Sequence, residues 1–316
     1  MDPVANEFSV LEQICRPGKQ DDARVVIGPG DDLALVWTVA PGGDVDLQSG
    51  SLLLAGVDQL IDGIHVSLKD VGLKAAGRKA ITRSLSDIAA MAGRPVATLV
   101  SAVVPVGMSG AEALELFESM KQVAAHYHAP LVGGDLAYHQ DEHGVLNCSV
   151  TVLAVPPSDG AIERFGSKAG DGLYVTGKLG GAWQGAHHLT FEPRLAEASM
   201  LKAILGERLH AMIDISDGLG RDASHLVERS GLQVVLEGEL LPCRDGSDLI
   251  GAVQDGEDYE LLFTASGDVP EGLGACSVTR IGSIRERDTA DEPSVLLLHD
   301  GEEHDVSCSG WEHGAK

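Results

Sequence analysis

Apolar positions along this chain fall into short runs of two kinds. Runs of Val, Leu and Ile broken by Gly, Pro and Asp predict strands at Arg24–Ile27, Leu33–Thr38 and Ser51–Val57. From about Leu73 to Ala92 the spacing becomes helical. Ile81, Leu85, Ile88 and Ala92 recur at four, three and four residues, and Pro95 marks the end. A buried strand is expected at Val96–Val104, and Ser109 then caps a helix with Ala113, Phe117, Met120 and Ala124 on one face. Leu131–Val132 runs into Gly133-Gly134-Asp135, and Val145–Val155 is a long strand. Prolines and glycines over 156–172 predict a domain boundary. Beyond it the pattern gives a strand at Leu173–Thr176, helical stretches around 180–189 and 194–206, a strand into Asp214, and a helix from Leu219 to Arg229. Strands follow near 232–236, 259–264, 276–281 and 294–299. Several strands are adjacent rather than separated by helices. The fold class is therefore α+β, with two α/β domains at 1–157 and 158–316, rather than one doubly wound sheet.

Composition narrows the function. The 316 residues suit two domains of ~150 residues each. With 23 Lys and Arg against 48 Asp and Glu, the net charge is −25. So acidic a chain repels phosphate backbones and anionic membranes, so no nucleic-acid or membrane partner is expected. Small anionic substrates remain compatible if divalent cations stand between them and the carboxylates. Aromatic residues are 4% of the chain, too few for stacking platforms. The five cysteines, Cys15, Cys148, Cys243, Cys276 and Cys308, form no CxxC and read as reduced thiols. The start lacks a signal-peptide pattern and no apolar run nears ~18 residues, so a cytoplasmic location is expected.

Candidate chemistry sits in aspartates that follow apolar strands beside glycines. In order these are Gly28-Pro29-Gly30-Asp31-Asp32, Gly56-Val57-Asp58, Ser86-Asp87, Gly133-Gly134-Asp135, Asp214-Ile215-Ser216-Asp217-Gly218 and Gly256-Glu257-Asp258. Glycine permits a sharp turn and close ligand approach, and aspartate is a short hard-oxygen ligand suited to Mg2+ beside phosphates. Any one of these motifs is also ordinary turn chemistry, and Asp217-Gly218 could be a helix N-cap. Six on both sides of a boundary suggest a polynuclear Mg2+–phosphate site. Asp87 lies at the edge of the helical arc of Ala80, Ile81, Ser84, Leu85, Ile88 and Met91, where a carboxylate reaches a cleft or marks where solvent begins. No P-loop, dinucleotide fingerprint or protein-kinase motif set is present. His139 and His143 fit a solvated hairpin better than a zinc site, and His187-His188 is expected on a helix surface.

Taken together, these segments resemble the thiamine-monophosphate kinases of the aminoimidazole-ribonucleotide-synthetase-like superfamily. The likeness runs nearly end to end, through GPGDDLALV (28–36), GVDQLIDGIHV (56–66), the LSDIAAMAGRP segment within 79–105, LVGGD (131–135), GDGLYVTGKLG (170–180), DISDGL within 212–231, GEDYELLFT (256–264) and the terminal GW at 310–311. It implies a homodimer whose N-terminal domains form the dimer and ATP cleft, with the C-terminal domain completing the substrate site. By position, Asp32, Asp58, Asp87, Asp135, Asp214 and Asp217 match magnesium ligands. Gly134, Asp135, Arg164 and Ser216 match ATP contacts, and His65, Glu257 and Trp311 match residues that hold thiamine monophosphate. An aromatic face at Trp311 also suits a cationic thiazolium. The implied reaction passes the γ-phosphoryl group of ATP directly to thiamine monophosphate, with several Mg2+ ions and no residue assigned as general base. The chain departs from the family at Gly56-Val57, where Ser-Thr is usual, at Leu136-Ala137-Tyr138, where Thr-Thr-Arg is common, and at Asp255, where glycine stands. These departures keep open a different acceptor or a catalytically weak nucleotide-binding homologue.

Overall fold

The computed structural model describes residues 25–27, 31–37, 52–289 and 291–312. Expectations for Cys15, Arg24, Gly28-Pro29-Gly30, Thr38, the 40–50 loop and Ser51 lie outside the described residues.

The first half contains β1 (Val25–Ile27), β2 (Ala34–Trp37), β3 (Leu52–Ile61), α1 (Leu68–Ala90), β4 (Arg94–Val104), α2 (Gly110–His126), β5 (Leu131–Tyr138) and β6 (Asn147–Val155). These strands form a sheet of order β1-β2-β3-β6-β4-β5. β4 and β5 are parallel with α2 as their crossover, and the other pairs are antiparallel. β6 shows why one face is core: Cys148, Val150, Val152 and Ala154 are buried, while the residues between them turn outward. α1 covers that face with Ile81, Leu85 and Ile88.

Gly72, with φ of 77°, breaks α1, so the continuous helix starts at Leu73 as the periodicity predicts. It stops at Ala90 rather than Ala92. The N–H of Ala92 donates to Ala89 and that of Gly93 to Ile88, with Ala92 at φ 53°, closing the end in a Schellman turn. Ser109 caps α2 in a reciprocal capping box with Glu112. Its buried stripe takes Leu116, and Phe117 is only half-buried. The connection holding His139 and His143 is not a hairpin, because β4 lies between β5 and β6.

Residues 156–171 lead to the second sheet. Its elements are β7 (Gly172–Thr176), α3 (His187–Thr190), α4 (Leu195–Leu205), β8 (Leu209–Asp214), α5 (Leu219–His225), β9 (Leu232–Glu237), α6 (Leu249–Gln254), β10 (Leu261–Ala265), β11 (Gly272–Leu273), β12 (Cys276–Glu286), β13 (Val295–His299) and β14 (Glu302–Asp305). The strand order is β14-β13-β9-β12-β7-β10-β8, with β11 on β12. The helix expected over 180–189 shrinks to the single turn α3, since Gly180 and Gly181 take positive φ. His188 is buried, not on a helix surface, because its ring stacks on Trp183 at 4.1 Å. α5 ends at His225, short of Arg229. β14 has no apolar pattern and all its residues are exposed, so nothing in the sequence announces it. α1 also packs against α3, α4 and β8, which joins the two halves.

Gly134 illustrates a backbone constraint at a predicted phosphate-contact position. A Cβ there would meet the carbonyl oxygen of Val100 at 1.9 Å. Gly134→Ala is expected to lower unfolding free energy by about 2 kcal/mol in a urea melt, through overpacking against β4. An unchanged midpoint would show that β5 can move aside.

Candidate active site

Helix α1 carries the polar side chains Lys79, Arg83, Ser86 and Asp87, spaced so that they share one stripe. The stripe faces the seam between the halves. Asp87 meets Asp32, from the turn before β2, and Asp214, from the end of β8, with one ligand atom of each within 4.8 Å of the others. Ser86 donates to Asp214 Oδ2 at 2.5 Å. Arg164 pairs with Asp32 Oδ1 at 2.5 Å, and its backbone N–H donates to Asp31. The second oxygen of Asp32 is buried without a hydrogen-bond partner. Burial, then repulsion from Asp32, pushes Asp214 up to about 7. Burial, then repulsion from Asp214, raises Asp87 well above the carboxylate range. Asp31 rises to about 7 through burial and the charge of Asp32. An orphaned buried oxygen within a set of hard, mutually repelling donors fits a divalent cation such as Mg2+.

The other expected ligands stand apart from this trio. Asp58 is paired with Arg83 Nε at 2.5 Å, near enough for its charge to act on Asp87 and Asp214. Asp135 is exposed on edge strand β5. Asp58, Val150, Val100 and Gly134 are in register across four strands, and Asp135 belongs to the next row with Gln59, Ser149 and Ser101. Adjacent rows point to opposite faces, and three strand spacings of ~4.8 Å separate β5 from β3. Asp217 lies in a neighbouring pocket.

That pocket gathers His65, Ser216, Asp217, Glu257 and Trp311, together with Ile64, Arg83, Trp183, Asp255 and Tyr259. Its loops are tied backbone to backbone: Glu257 N–H donates to Ser216 at 2.7 Å, and Trp311 N–H to Asp217 at 2.7 Å. Asp222 Oδ2 accepts from the N–H groups of Ser216, Asp217 and Gly218, so the loop is held from beneath rather than capped by Asp217. Asp258 anchors structure, accepting from Arg244 and from Gly180 N–H. Asp255 accepts from Gly181 N–H, which holds the turn leading to Trp183.

Lys79 lies behind the pocket wall and ties its residues together. Its side chain is 0% exposed, and Nζ lies 2.6 Å from Glu257 Oε2, 2.5 Å from the His65 carbonyl and 2.9 Å from His188 Nδ1. It also sits 4.8 Å over the Trp183 ring. Burial lowers its pKa, opposed by the charge of Glu257. Desolvation takes both His187 and His188 down to about 4, leaving neutral imidazoles.

Residues 21–155 match the family described as AIR synthase related protein, N-terminal domain. A thiamine-monophosphate kinase of Rhodopirellula baltica is 33% identical over 276 residues, covering 83% of this chain and 84% of its own. This chain belongs to the thiamine-monophosphate kinase family. A family member from Mycobacterium tuberculosis is 31% identical, covering 97% of this chain and 91% of its own. AaThiL complexed with AMPPCP and TMP superposes with a TM-score of 0.77 at 25% identity, over 98% of this chain and 97% of that one.

Against the family pattern, Gly56 has a local reason: a Cβ there would meet Leu33 Cδ2 at 2.2 Å, next to Asp32. Sequence reasoning missed Lys79, Arg83, Trp183 and Asp222. The signal for the first two was their spacing, eight and four residues before Asp87 on the same helix face.

Two outcomes follow from these charges. Asp214 holds its proton up to about 7 when folded but releases it near 3.8 when unfolded, so the metal-free protein loses stability as pH rises between those values. A cation that replaces the proton should therefore raise the melting temperature more at pH 8 than at pH 5.5, and Asp87→Asn should raise the metal-free value while shrinking the Mg2+ response. Equal Mg2+ shifts at both pH values would contradict a cation among these carboxylates. Separately, Lys79→Met leaves Glu257 without its partner and should cost about 3–5 kcal/mol in chemical denaturation.

Proposed function

We propose that this chain catalyses ATP-dependent phosphorylation of thiamine monophosphate, giving thiamine diphosphate and ADP. The observation that carries the reading is the placement of a three-carboxylate group and an aromatic, acid-rich pocket side by side along α1. The carboxylates suit the polyphosphate end of the reaction. Trp183 and Trp311, at 41% and 55% exposed, offer ring faces to a cationic heteroaromatic, and Asp217, Asp255 and Glu257 supply a negative field.

Asp32, Asp87 and Asp214 would hold Mg2+, with Asp58, Asp135 and Asp217 as further expected ligands. The bound ions supply charge neutralisation for two phosphate groups brought together. The chain's own residues position the partners: Ser86 orients Asp214, Arg164 steadies Asp32, and Lys79 sets Glu257. The acceptor phosphate has a second pKa of ~6, so it is ionised at neutral pH and needs no base. This agrees with His187 and His188 being engaged by the Asp258 carbonyl and Lys79.

A homodimer belongs to the same reading. Three successive outward rows of the first sheet, from Val57–Gly133 to Ile61–Ala137, hold Asp135 as their one charged residue. In a chain of net charge −25 such a neutral face favours self-association. Asp135 stands on this face, and a second copy packed there would lie against it. Among the described residues no helix is long and apolar enough to cross a membrane, and we place the reaction in the cytoplasm.

Chromatography of thiamine species after incubation with ATP and Mg2+ tests the assignment. Thiamine diphosphate should form with one ADP per turnover, and Asp87→Asn should reduce it at least about a hundredfold, the loss expected when a charge-stabilising group is removed. Absence of thiamine diphosphate at every Mg2+ concentration would reject the assignment.

A further inference from the structure

We propose that Arg83 binds the phosphate of the acceptor, in the passage between the pocket and the carboxylates; the proposal rests on the kinase reading above. Arg83 lies one turn after Lys79 and one turn before Asp87 on α1, about 6 Å along the axis from each at 1.5 Å per residue. Lys79 backs the pocket wall through Glu257 and Trp183, and Asp87 belongs to the carboxylate trio. Arg83 thus stands where a ligand reaching from one to the other must pass.

Its donors are divided. Nε is committed to Asp58 Oδ2 at 2.5 Å, whereas Nη1 is buried and has no hydrogen-bond partner among the described residues. A buried guanidinium N–H without an acceptor is costly, and the same side chain lines the cavity. Among the described lining residues Arg83 is the one Lys or Arg, facing Asp217, Asp255 and Glu257. Lys79, behind the wall, already has an acceptor for each of its three protons. A phosphate entering so acidic a cavity needs a cation, and Arg83 has the unspent donor. Its fork shape lets one edge hold Asp58 while the remaining nitrogen takes an anionic oxygen.

Calorimetric titration with thiamine and with thiamine monophosphate separates this role from a structural one. Arg83→Gln should weaken thiamine monophosphate by at least about tenfold and raise its KM, while affinity for thiamine, which lacks the phosphate, stays within about twofold. Arg83→Lys, which keeps the charge and loses the fork, should recover part of the difference, and it carries the same comparison if Arg83→Gln does not fold. Equal weakening of both ligands overturns the proposal and makes Arg83 a prop for Asp58. Weakening of neither also overturns it. A wild-type protein that makes thiamine diphosphate while Arg83→Gln binds thiamine monophosphate normally sinks only this proposal. A wild-type protein that makes none sinks the kinase reading, and the paired titrations still judge Arg83.

Discussion

A fully buried ammonium group needs its charge balanced and its protons accepted, and around Lys79 that need draws distant stretches of chain into one place. The His65 carbonyl, the His188 ring and the Glu257 carboxylate converge on it, and Trp183 covers it. These partners come from the turn after β3, from α3 and from the loop before β10, so a single charge joins the first half of the chain to two separate stretches of the second. Glu257 in turn takes a positive φ of 58° and bonds to Ser216, which puts the DISDGL loop in register with the pocket. Packing of α1 against both halves would persist without this pair, but the pocket wall would not have one defined shape.

The carboxylate trio works in the opposite sense. Asp32, Asp87 and Asp214 are assembled against their own repulsion, and part of the favourable burial of Ile81, Leu85 and Ile88 is spent holding them there. Protons relieve the repulsion at low pH, and at higher pH the same residues that weaken the empty fold present a set of hard oxygen donors suited to a divalent cation. Ser86 and Arg164 share in this by supplying donors to the two carboxylates that need orienting.

Much of this was legible in the sequence. The long strand expected at Val145–Val155, the helical spacing from Leu73 and the cap at Ser109 follow from period and local chemistry, and the structure has β6 at Asn147–Val155, an unbroken helix after Gly72 and a capped α2. The acidic motifs pointed to converging carboxylates, and three of them meet, Asp32 and Asp214 beside strands and Asp87 on α1. What the pattern could not reveal was long-range pairing. His188 reads as a surface histidine until Lys79 and Trp183 are placed beside it, and nothing in the pattern marks Asp222, whose carboxylate accepts from the 216–218 N–H groups. Phe117 and Leu116 are interchangeable on a helical wheel, and only the contact with the first core decides that Leu116 is inside. Asp135 lies exposed on edge strand β5, and a motif that ends a strand beside glycines does not say which face of the sheet its carboxylate takes.

Placing Lys79, Arg83 and Asp87 on one uninterrupted helix has a further consequence. A helix does not stretch, so α1 fixes the spacing between the aromatic pocket and the carboxylate trio. Eight residues at 1.5 Å each set that length at about 12 Å. Whatever binds at one end is thereby held at a set distance from whatever binds at the other, however the loops around them move.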